Sequence, residues 1–228
     1  MQAVILAGGL GTRLRGIVDD VPKPMAQFNG RPLLDYLVEQ LSRHFNEIIM
    51  LVGYKKDVIK NYFGNRKWGV KISYSEEEEP LGTGGAIKNA EHLIHGDFLL
   101  MNGDNYHELP YGKLVSEFRK ERINTMVITK TQNPTQVTIV KTDKKGFITS
   151  LKERPQNPGP EDRFMNAGIY LLKKEVLDLI PEGKVSFEKE IFPLLMKNGM
   201  KAARYDGFYI DIGTPENFNK FKKKISEL

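Results

Sequence analysis

The residues best suited to chemistry lie near the N-terminus, where a glycine-rich segment is followed by two cations. Ala3–Leu6 is a short apolar run typical of a buried strand, and it leads directly into residues 8–11, three of which are glycine. Glycine lacks the Cβ that would keep a ligand away from the main chain, so consecutive N–H groups can turn toward one anion. Arg13 and Lys23 follow as fixed positive charges. This order predicts a phosphate-binding loop.

Neither of two common phosphate-binding loops fits this segment. The Walker loop requires Gly and Lys in direct succession, whereas Gly11 is followed by Thr12. The dinucleotide-binding fingerprint fits Gly9 and Gly11 but has Leu14 where a small residue should allow close helix packing. A phosphate loop of another type and an ordinary strand-ending turn therefore both stay open on the glycines alone.

Two aspartates follow apolar runs at separate points in the chain. Asp104 comes after residues 98–101, at the expected carboxyl end of a strand, where open α/β sheets bind ligands. Asp211 ends another apolar run. Mg²⁺ takes few protein oxygens and completes its shell with water and phosphate, so two converging carboxylates would suit it. The alternative for each is a cap or turn, although Thr214 is better placed to cap a helix that begins at Pro215.

These residues are separated by alternating strand and helix patterns in the first half of the chain. The predicted strands are Val4–Leu6, Ile48–Val52, Val70–Tyr74 and Phe98–Met101, and the predicted helices lie around Leu33–Phe45, Val58–Phe63 and Ala86–Leu93. Such alternation implies a parallel sheet with right-handed crossovers.

After residue 122 the pattern changes to strands. They are predicted at Met126–Thr131, Val137–Val140, Phe147–Leu151 and Phe164–Leu172. Phe218, Phe221 and Ile225 recur at helical spacing and predict an amphipathic closing helix. We therefore expect an α/β fold with one core, a Rossmann-like mixed but mainly parallel sheet flanked by helices, and a smaller lobe over the site.

The composition excludes several classes of protein. The 228 residues include no cysteine, so disulfides and thiolate zinc sites are impossible. No apolar run approaches the roughly 20 residues that span a bilayer, and no export signal is evident, so we expect a cytoplasmic protein without a membrane partner. The net charge of +5 comes from scattered residues, which favours an anionic small substrate over nucleic acid.

Several short motifs, taken together, resemble the nucleotidyltransferases that make nucleoside diphosphate sugars from a nucleoside triphosphate and a sugar 1-phosphate. Besides the glycine segment, they are PKPM (22–25), PLGTGGA (80–86), NGD (102–104), LKERP (151–155), NAGIY (166–170) and YIDIGTPE (209–216). They extend over nearly the whole chain. Within that family, the length and the wording of PLGTGGA and NGD look most like the guanylyltransferases of D-glycero-α-D-manno-heptose 1-phosphate.

The resemblance implies a single nucleotidyltransferase domain over residues 1–228. Its nucleotide-binding part is about 1–122, and its sugar-binding part with the closing helix is about 123–228. The implied substrates are GTP and a sugar 1-phosphate, the implied cofactor is Mg²⁺, and a homo-oligomer is compatible with the family.

The resemblance also assigns roles to individual residues. Arg13 and Lys23 are the implied catalytic residues, and Asp104 and Asp211 the implied metal ligands. Contacts to the nucleotide are implied for Leu6, Ala7, Gly8, Gly9, Gly11, Thr12, Arg13, Glu77, Pro80, Gly82 and Thr83. Contacts to the sugar phosphate are implied for Asn102, Lys152, Glu153, Asn166 and Gly168.

The implied reaction needs no general base, because the attacking phosphate oxygen is already ionised near neutral pH. The four histidines, His44, His92, His95 and His107, all lie outside the motifs. Glu77 is our hypothesis for recognition of guanine, since a carboxylate can accept two hydrogen bonds from its N–H edge. A solvated acidic turn is the alternative for Glu77, and a surface ion pair is the alternative for Lys152 and Glu153.

Other activities stay open to different degrees. Mannose 1-phosphate as acceptor, or uridylyl or thymidylyl transfer, would need only a few different hydrogen bonds. A glycosyltransferase is disfavoured because Asp104 is followed by Asn105 and Tyr106 rather than forming an Asp-x-Asp pair. A catalytically silent binding subunit is disfavoured because Arg13, Lys23 and both candidate metal ligands are all present.

Overall fold

A mixed sheet forms the centre of the computed structural model, which describes residues 1–9 and 20–227. Its first-half strands are β1 (Gln2–Leu6), β4 (Glu47–Val52), β5 (Arg66–Lys67), β6 (Val70–Glu76) and β7 (Phe98–Asn102). The order is β7-β1-β4-β6-β5, in which β7, β1, β4 and β6 are parallel and β5 is an antiparallel edge. The short strands β2 (Gln27–Phe28) and β3 (Arg31–Pro32) form a separate hairpin.

The second half of the chain extends the same sheet. Its strands are β9 (Thr125–Lys130), β10 (Thr138–Thr142), β11 (Ile148–Glu153), β12 (Phe164–Leu172) and β13 (Lys201–Tyr205). β12 joins the two halves because it pairs antiparallel with β7 and with β9, while β13 runs parallel to β9. The prediction of a mixed, mainly parallel sheet is confirmed. Among the described residues, the two halves together form one sheet of ten strands.

Helices cover both faces of the sheet. They are α1 (Leu33–Ser42), α2 (Lys56–Phe63), α3 (Gly82–Asn89), α4 (Tyr111–Glu121), α5 (Phe192–Lys197) and α6 (Pro215–Ser226), with a π-helical turn at Phe187–Ile191 before α5. One apolar cluster contains residues of α1, α4 and α6, and the other contains residues of α3, the π-helical turn and α5. Successive residues of the central strands point alternately into the two clusters, which explains why these strands are apolar almost throughout.

Helix α3 begins at Gly82 rather than at the predicted Ala86. The prediction started late because glycine is a poor helix former. In the structure, residues 183–185 pass so close to the start of α3 that side chains would not fit. A Cβ at Gly84 would lie 2.8 Å from Val185 Cγ1, and one at Gly85 would collide with the Gly183 carbonyl oxygen. Tertiary packing therefore sets this helix start.

A two-stranded ribbon brings the candidate metal ligands together. The strands β8 (Asn105–His107) and β14 (Tyr209–Asp211) pair antiparallel, with Asp211 opposite Asn105. Asp104 immediately precedes β8, so the register alone places it beside Asp211. Helix α6 follows directly and packs Phe218 and Phe221 on Phe28, each with ring centroids 4.7 Å apart. The predicted closing helix thus anchors the ribbon.

No helix within residues 1–9 and 20–227 has both the length and the apolar character needed to cross a membrane.

Candidate active site

A cavity of about 550 Å³ opens at the carboxyl ends of the parallel strands. Its walls include eleven residues that the motifs predicted: Leu6, Ala7, Gly8, Gly9, Lys23, Glu77, Pro80, Gly82, Thr83, Asn102 and Asp104. The predicted residues Gly11, Thr12 and Arg13 lie outside the described residues. The strand-end rule of open α/β sheets therefore located the cavity correctly.

Gly8 continues β1 across the end of β4 at close range. The Ala7 N–H donates to the Leu51 carbonyl oxygen at 2.9 Å. A Cβ at Gly8 would lie 3.1 Å from the Gly53 nitrogen and 3.1 Å from Glu77 Oε1. A larger residue would push these neighbours aside by a few tenths of an ångström, so glycine favours tight packing of the cavity wall here.

Lys23 links the two aspartates. Its ammonium nitrogen lies 2.5 Å from Asp104 Oδ2 and 3.2 Å from Asp211 Oδ1. The lysine side chain is 8% exposed, whereas those of Asp104 and Asp211 are 28% and 38% exposed. The structure therefore brings together three of the predicted residues, with the two carboxylates accessible beside the cavity and the cation largely buried between them.

Backbone geometry fixes the orientation of Asp211. Its Oδ1 accepts a hydrogen bond from the Gly213 N–H at 2.6 Å, and its carbonyl oxygen accepts one from Asn217 Nδ2 at 2.8 Å. The cap of α6 is Thr214, whose hydroxyl oxygen accepts from the Asn217 N–H at 3.2 Å. Asp211 is therefore free of the capping role that was its alternative interpretation.

The aspartate pair has the donor chemistry that Mg²⁺ requires. The ammonium of Lys23 shows that the two carboxylates can share one cation. No group of three or more potential ligands from His, Cys, Asp or Glu is found in the described residues. Mg²⁺ is commonly held by one or two carboxylates together with substrate phosphates and water. Asp104 and Asp211 therefore fit a magnesium ion that enters with a polyphosphate.

The NAGIY segment adjoins the NGD segment through a bulge in β12. Asn166 holds the bulge, because its Nδ2 donates to the Tyr170 hydroxyl at 2.8 Å and its Oδ1 accepts from the Gly168 N–H at 2.9 Å. Gly168 has φ +69°, and a Cβ there would lie 2.5 Å from Asn102 Nδ2. Gly168 thus allows close approach to a cavity residue, and Asn166 fixes the backbone that makes this possible.

Lys152 and Glu153 lie at the exposed end of β11. Leu151 packs against one apolar cluster, and alternation along the strand puts Glu153 on that face and Lys152 on the other. Lys152 lies near buried Asp162, whose pKa is lowered first by the Gly159 N–H, then by Lys141 and least by Lys152. Among the described residues, neither Lys152 nor Glu153 lines the cavity. Their roles toward the sugar phosphate stay predictions.

Glu77 has one carboxylate oxygen already engaged. Its Oε2 accepts a hydrogen bond from the Leu81 N–H at 2.9 Å, which closes the turn before α3. Burial raises the pKa of Glu77, and the Leu81 N–H opposes that rise. Glu76 is turned away toward Lys56 and Lys60, at 2.9 and 2.5 Å. The acidic segment is therefore divided: two lysines hold Glu76, whereas Glu77, Glu78 and Glu79 line the cavity. Glu77 also orders the loop.

Comparison with known proteins identifies the family to which these features belong. A model of the nucleotidyl transferase family matches residues 2–227. The chain belongs to the nucleotidyl transferase family. It is 37% identical over 223 residues to D-glycero-alpha-D-manno-heptose 1-phosphate guanylyltransferase of Campylobacter jejuni, with 97% of this chain and 98% of the relative covered.

Two further relatives resemble this nucleotidyl transferase over almost all of its length. The mannose-1-phosphate guanyltransferase of Saccharomyces cerevisiae is 35% identical, with 96% of this chain and 63% of the relative covered. The crystal structure of HddC from Yersinia pseudotuberculosis complexed with GMP-PN superposes with a TM-score of 0.83 at 34% identity, covering 98% of each chain. The family predicted from the motifs is confirmed.

The cavity of this nucleotidyl transferase also contains residues that the motifs did not indicate. Tyr54 follows Gly53 at the end of β4 and is 40% exposed. The strand-end position that singled out Asp104 would have indicated it too. Glu188 comes from the π-helical turn, and its Oε2 accepts a hydrogen bond from the Thr83 hydroxyl at 2.6 Å. The apolar residues Phe187, Ile191 and Leu195 recur at helical spacing and indicate a helix here. Nothing in that pattern indicates that Glu188 belongs to the cavity.

Proposed function

We propose that this nucleotidyl transferase transfers GMP from GTP to D-glycero-α-D-manno-heptose 1-phosphate, giving GDP-heptose and pyrophosphate. The observation that carries the proposal is the cluster of Lys23, Asp104 and Asp211 at a cavity whose wall begins with a bare glycine loop. The choice of GTP and heptose is supported by the identity to the Campylobacter guanylyltransferase and by the structural match to HddC with GMP-PN.

The reaction exchanges one phosphorus–oxygen bond for another. A phosphate oxygen of the sugar 1-phosphate attacks the α-phosphorus of GTP, and the bond from that phosphorus to the oxygen bridging the α- and β-phosphates breaks. Pyrophosphate leaves with the bonding electron pair. Since the attacking oxygen is already anionic, the protein's main tasks are positioning and stabilisation of negative charge.

Lys23 supplies a positive charge that two carboxylates hold in a fixed position. Its ammonium lies between two carboxylates and is largely buried, so little reorganisation is needed when a phosphoryl group approaches. Asp104 and Asp211 would hold the magnesium ion, which when bound neutralises phosphate charge. Arg13, proposed as a second contact to the triphosphate, lies outside the described residues.

The remaining contacts divide between the two ends of the cavity. Gly8, Gly9, Pro80 and Gly82 line the wall that we assign to the nucleotide. Glu77 is our proposal for the guanine edge, with its Oε1 available beside Gly8 while Oε2 stays on the Leu81 N–H.

At the other end, Asn102 lines the cavity and Gly168 packs against its amide, so both are supported as parts of the sugar side. The pleat of β11 favours Glu153 over Lys152 as the residue that turns toward the substrate.

Mannose 1-phosphate is the second candidate acceptor. It is favoured by the 35% identity to the Saccharomyces mannose-1-phosphate guanyltransferase over 96% of this chain. The two acceptors share a manno-configured ring, so discrimination depends on the group beyond the ring.

A substrate grid tests the proposal. GTP, UTP and dTTP are each combined with heptose, mannose and glucose 1-phosphates in the presence of Mg²⁺, and pyrophosphate release is measured. We expect the highest kcat/KM for GTP with heptose 1-phosphate. A higher kcat/KM with mannose 1-phosphate would show that mannose 1-phosphate is the acceptor instead. A preference for UTP or dTTP would contradict guanylyl transfer.

A further inference from the structure

Glu188 lines the cavity and lies between segments from the two halves of the chain. On one side its carboxylate contacts Thr83, at the start of α3. On the other side its neighbour Phe187 packs on the ring of Tyr170, with centroids 6.2 Å apart. Tyr170 is the residue whose hydroxyl accepts from Asn166 in the β12 bulge. Glu188 itself lines the cavity. It therefore lies between Thr83, from the first half of the chain, and the neighbour of the β12 bulge, from the second half.

Hydroxyl groups hold this carboxylate in place. The Thr83 hydroxyl donates to Glu188 Oε2 at 2.6 Å and accepts from the Phe187 N–H at 2.9 Å, and the Ser186 hydroxyl donates to the same oxygen at 3.2 Å. The Thr83 hydroxyl is therefore hydrogen-bonded to the Glu188 carboxylate and to the Phe187 N–H. It positions the carboxylate in this structure, and its contact with the nucleotide stays a prediction.

The π-helical turn does not need Glu188 for its own capping. Ser186 Oγ accepts from the Lys189 N–H at 3.2 Å, and the Ser186 N–H donates to Glu190 Oε1 at 2.8 Å. This is a reciprocal cap, made by Ser186 and Glu190. Glu188 projects instead into the cavity, although it stands between the two capping residues.

The chemistry of the site restricts what Glu188 can bind. An ionised carboxylate only accepts hydrogen bonds, and it repels phosphate. Its ligand must therefore donate, as the hydroxyl groups of a sugar or the N–H groups of a base do. The candidate base wall, at Gly8 and Glu77, is a different part of the cavity lining, whereas Glu188 is linked to Tyr170 and Asn166 on the sugar side.

We infer that Glu188 is a specificity-determining residue that accepts hydrogen bonds from adjacent ring hydroxyls of the sugar 1-phosphate. The inference rests on the proposed function and adds a residue to its acceptor site. A protein group placed to accept from a substrate hydroxyl strongly disfavours analogues that lack it, because its own hydrogen bond is then lost.

The test compares Glu188→Gln with Glu190→Gln, a neighbouring variant of the same chemistry whose amide oxygen can keep the cap. Steady-state pyrophosphate release is measured with each substrate varied, using the best sugar 1-phosphate from the grid. We expect Glu188→Gln to raise KM for the sugar 1-phosphate by roughly 10- to 100-fold, with KM for GTP within about twofold of the wild type. Glu190→Gln should change neither KM. An unchanged sugar KM in Glu188→Gln, or a rise in the GTP KM alone, would overturn the inference.

Two more measurements keep the inference separable from the proposed function and from misfolding. Calorimetric binding of mannose 1-phosphate to wild type and Glu188→Gln reports the contact without any turnover, so a wild type that releases no pyrophosphate would contradict the proposed function alone. Equal affinities in the two proteins would contradict the role of Glu188. If Glu188→Gln does not fold, Thr83→Val replaces it in the same measurements. We expect Thr83→Val to weaken binding of the sugar 1-phosphate and Thr83→Ser to restore it. Unchanged sugar affinity in Thr83→Val would contradict the inference.

Discussion

At the scale of single residues, the site depends on Lys23, whose ammonium holds two carboxylates from distant parts of the chain. It is the least exposed of the three charged side chains. Buried charge is costly unless it is paired, and here each carboxylate supplies part of the compensation. The same pairing gives Lys23 a fixed position before substrate arrives, which is the condition for strong electrostatic stabilisation of a transition state.

Replacing Lys23 by alanine should lower kcat by about a hundredfold or more, since one preorganised positive charge near the transferred phosphoryl group is lost. The assay is pyrophosphate release, with circular dichroism to verify folding. Lys222→Ala, on the outer part of α6, is the matched control and should keep normal turnover. Near-normal kcat in a folded Lys23→Ala protein would remove this lysine from the proposed mechanism.

A second residue-scale prediction compares two glycines with positive φ. Gly168 has φ +69° and packs against Asn102, whereas Gly146 has φ +85° and open space around it. Alanine should cost about 1–2 kcal/mol in the free energy of unfolding at Gly146, from the backbone conformation, and more at Gly168, where its Cβ would also lie 2.7 Å from Asn105 Nδ2. Only Gly168→Ala should also displace the Asn102 amide and lower kcat/KM, by about a hundredfold if the shift approaches 1 Å.

Urea unfolding and steady-state kinetics of both glycine variants provide the measurement. Equal kcat/KM values for Gly168→Ala and Gly146→Ala would show that contact with Asn102 does not matter for catalysis.

At the scale of elements, the sequence allowed prediction of those site residues whose positions depend on a local pattern or on the end of a strand. Asp104 and Asp211 could be found because each follows an apolar run, and Thr214 because a Thr-Pro pair is a helix-start signal. Which of Lys152 and Glu153 shares the face of Leu151 that packs on the apolar cluster depends on how β11 is placed in the sheet, and neighbouring residues in the sequence do not reveal this. Glu188 depends on a π-helical turn whose position is set by contact with α3.

Helix α6 should control the aspartate ribbon through its aromatic packing. Phe221 is fully buried and contacts Phe28 and Tyr106, each with centroids 4.7 Å apart, and Tyr106 belongs to β8. Phe221→Ala should therefore cost about 3–5 kcal/mol in the free energy of unfolding, as measured by urea denaturation. Phe218→Ala, at a partly buried position on the same helix, should cost less. A larger loss at Phe218 would mean that α6 is anchored differently.

At the scale of the whole molecule, one sheet carries both the cavity residues and the segment proposed to contact the sugar. β7 bears Asn102 and the strand-end aspartate follows it, while β12, its antiparallel neighbour, bears Asn166 and Gly168. The residues proposed for the nucleotide and those proposed for the sugar phosphate thus lie on adjacent strands of one core. We expect a single cooperative unit from this continuity, and the single domain that the motifs implied stays a prediction.

The stability of this unit should depend on pH through His107. This side chain is fully buried in β8, and burial lowers its pKa from 6.5 to about 3. The unfolded chain therefore binds a proton below about pH 6.5 that the folded chain does not bind. The contribution of His107 to the free energy of unfolding is fully present above that pH and decreases as the pH falls toward 3. The slope contributed by this one group approaches about 1.4 kcal/mol per pH unit.

Urea unfolding at pH 7.5 and pH 5.0 measures this effect. We expect wild type to lose about 2 kcal/mol between the two from His107, and His107→Gln to lose correspondingly less, even if the variant is weaker at both pH values. The lower limit of pH 5.0 is chosen because the carboxylates with lowered pKa, such as Glu47 and Asp97, stay ionised there in the folded protein. A His107→Gln protein whose stability falls as steeply as that of wild type would show that another group takes up the proton.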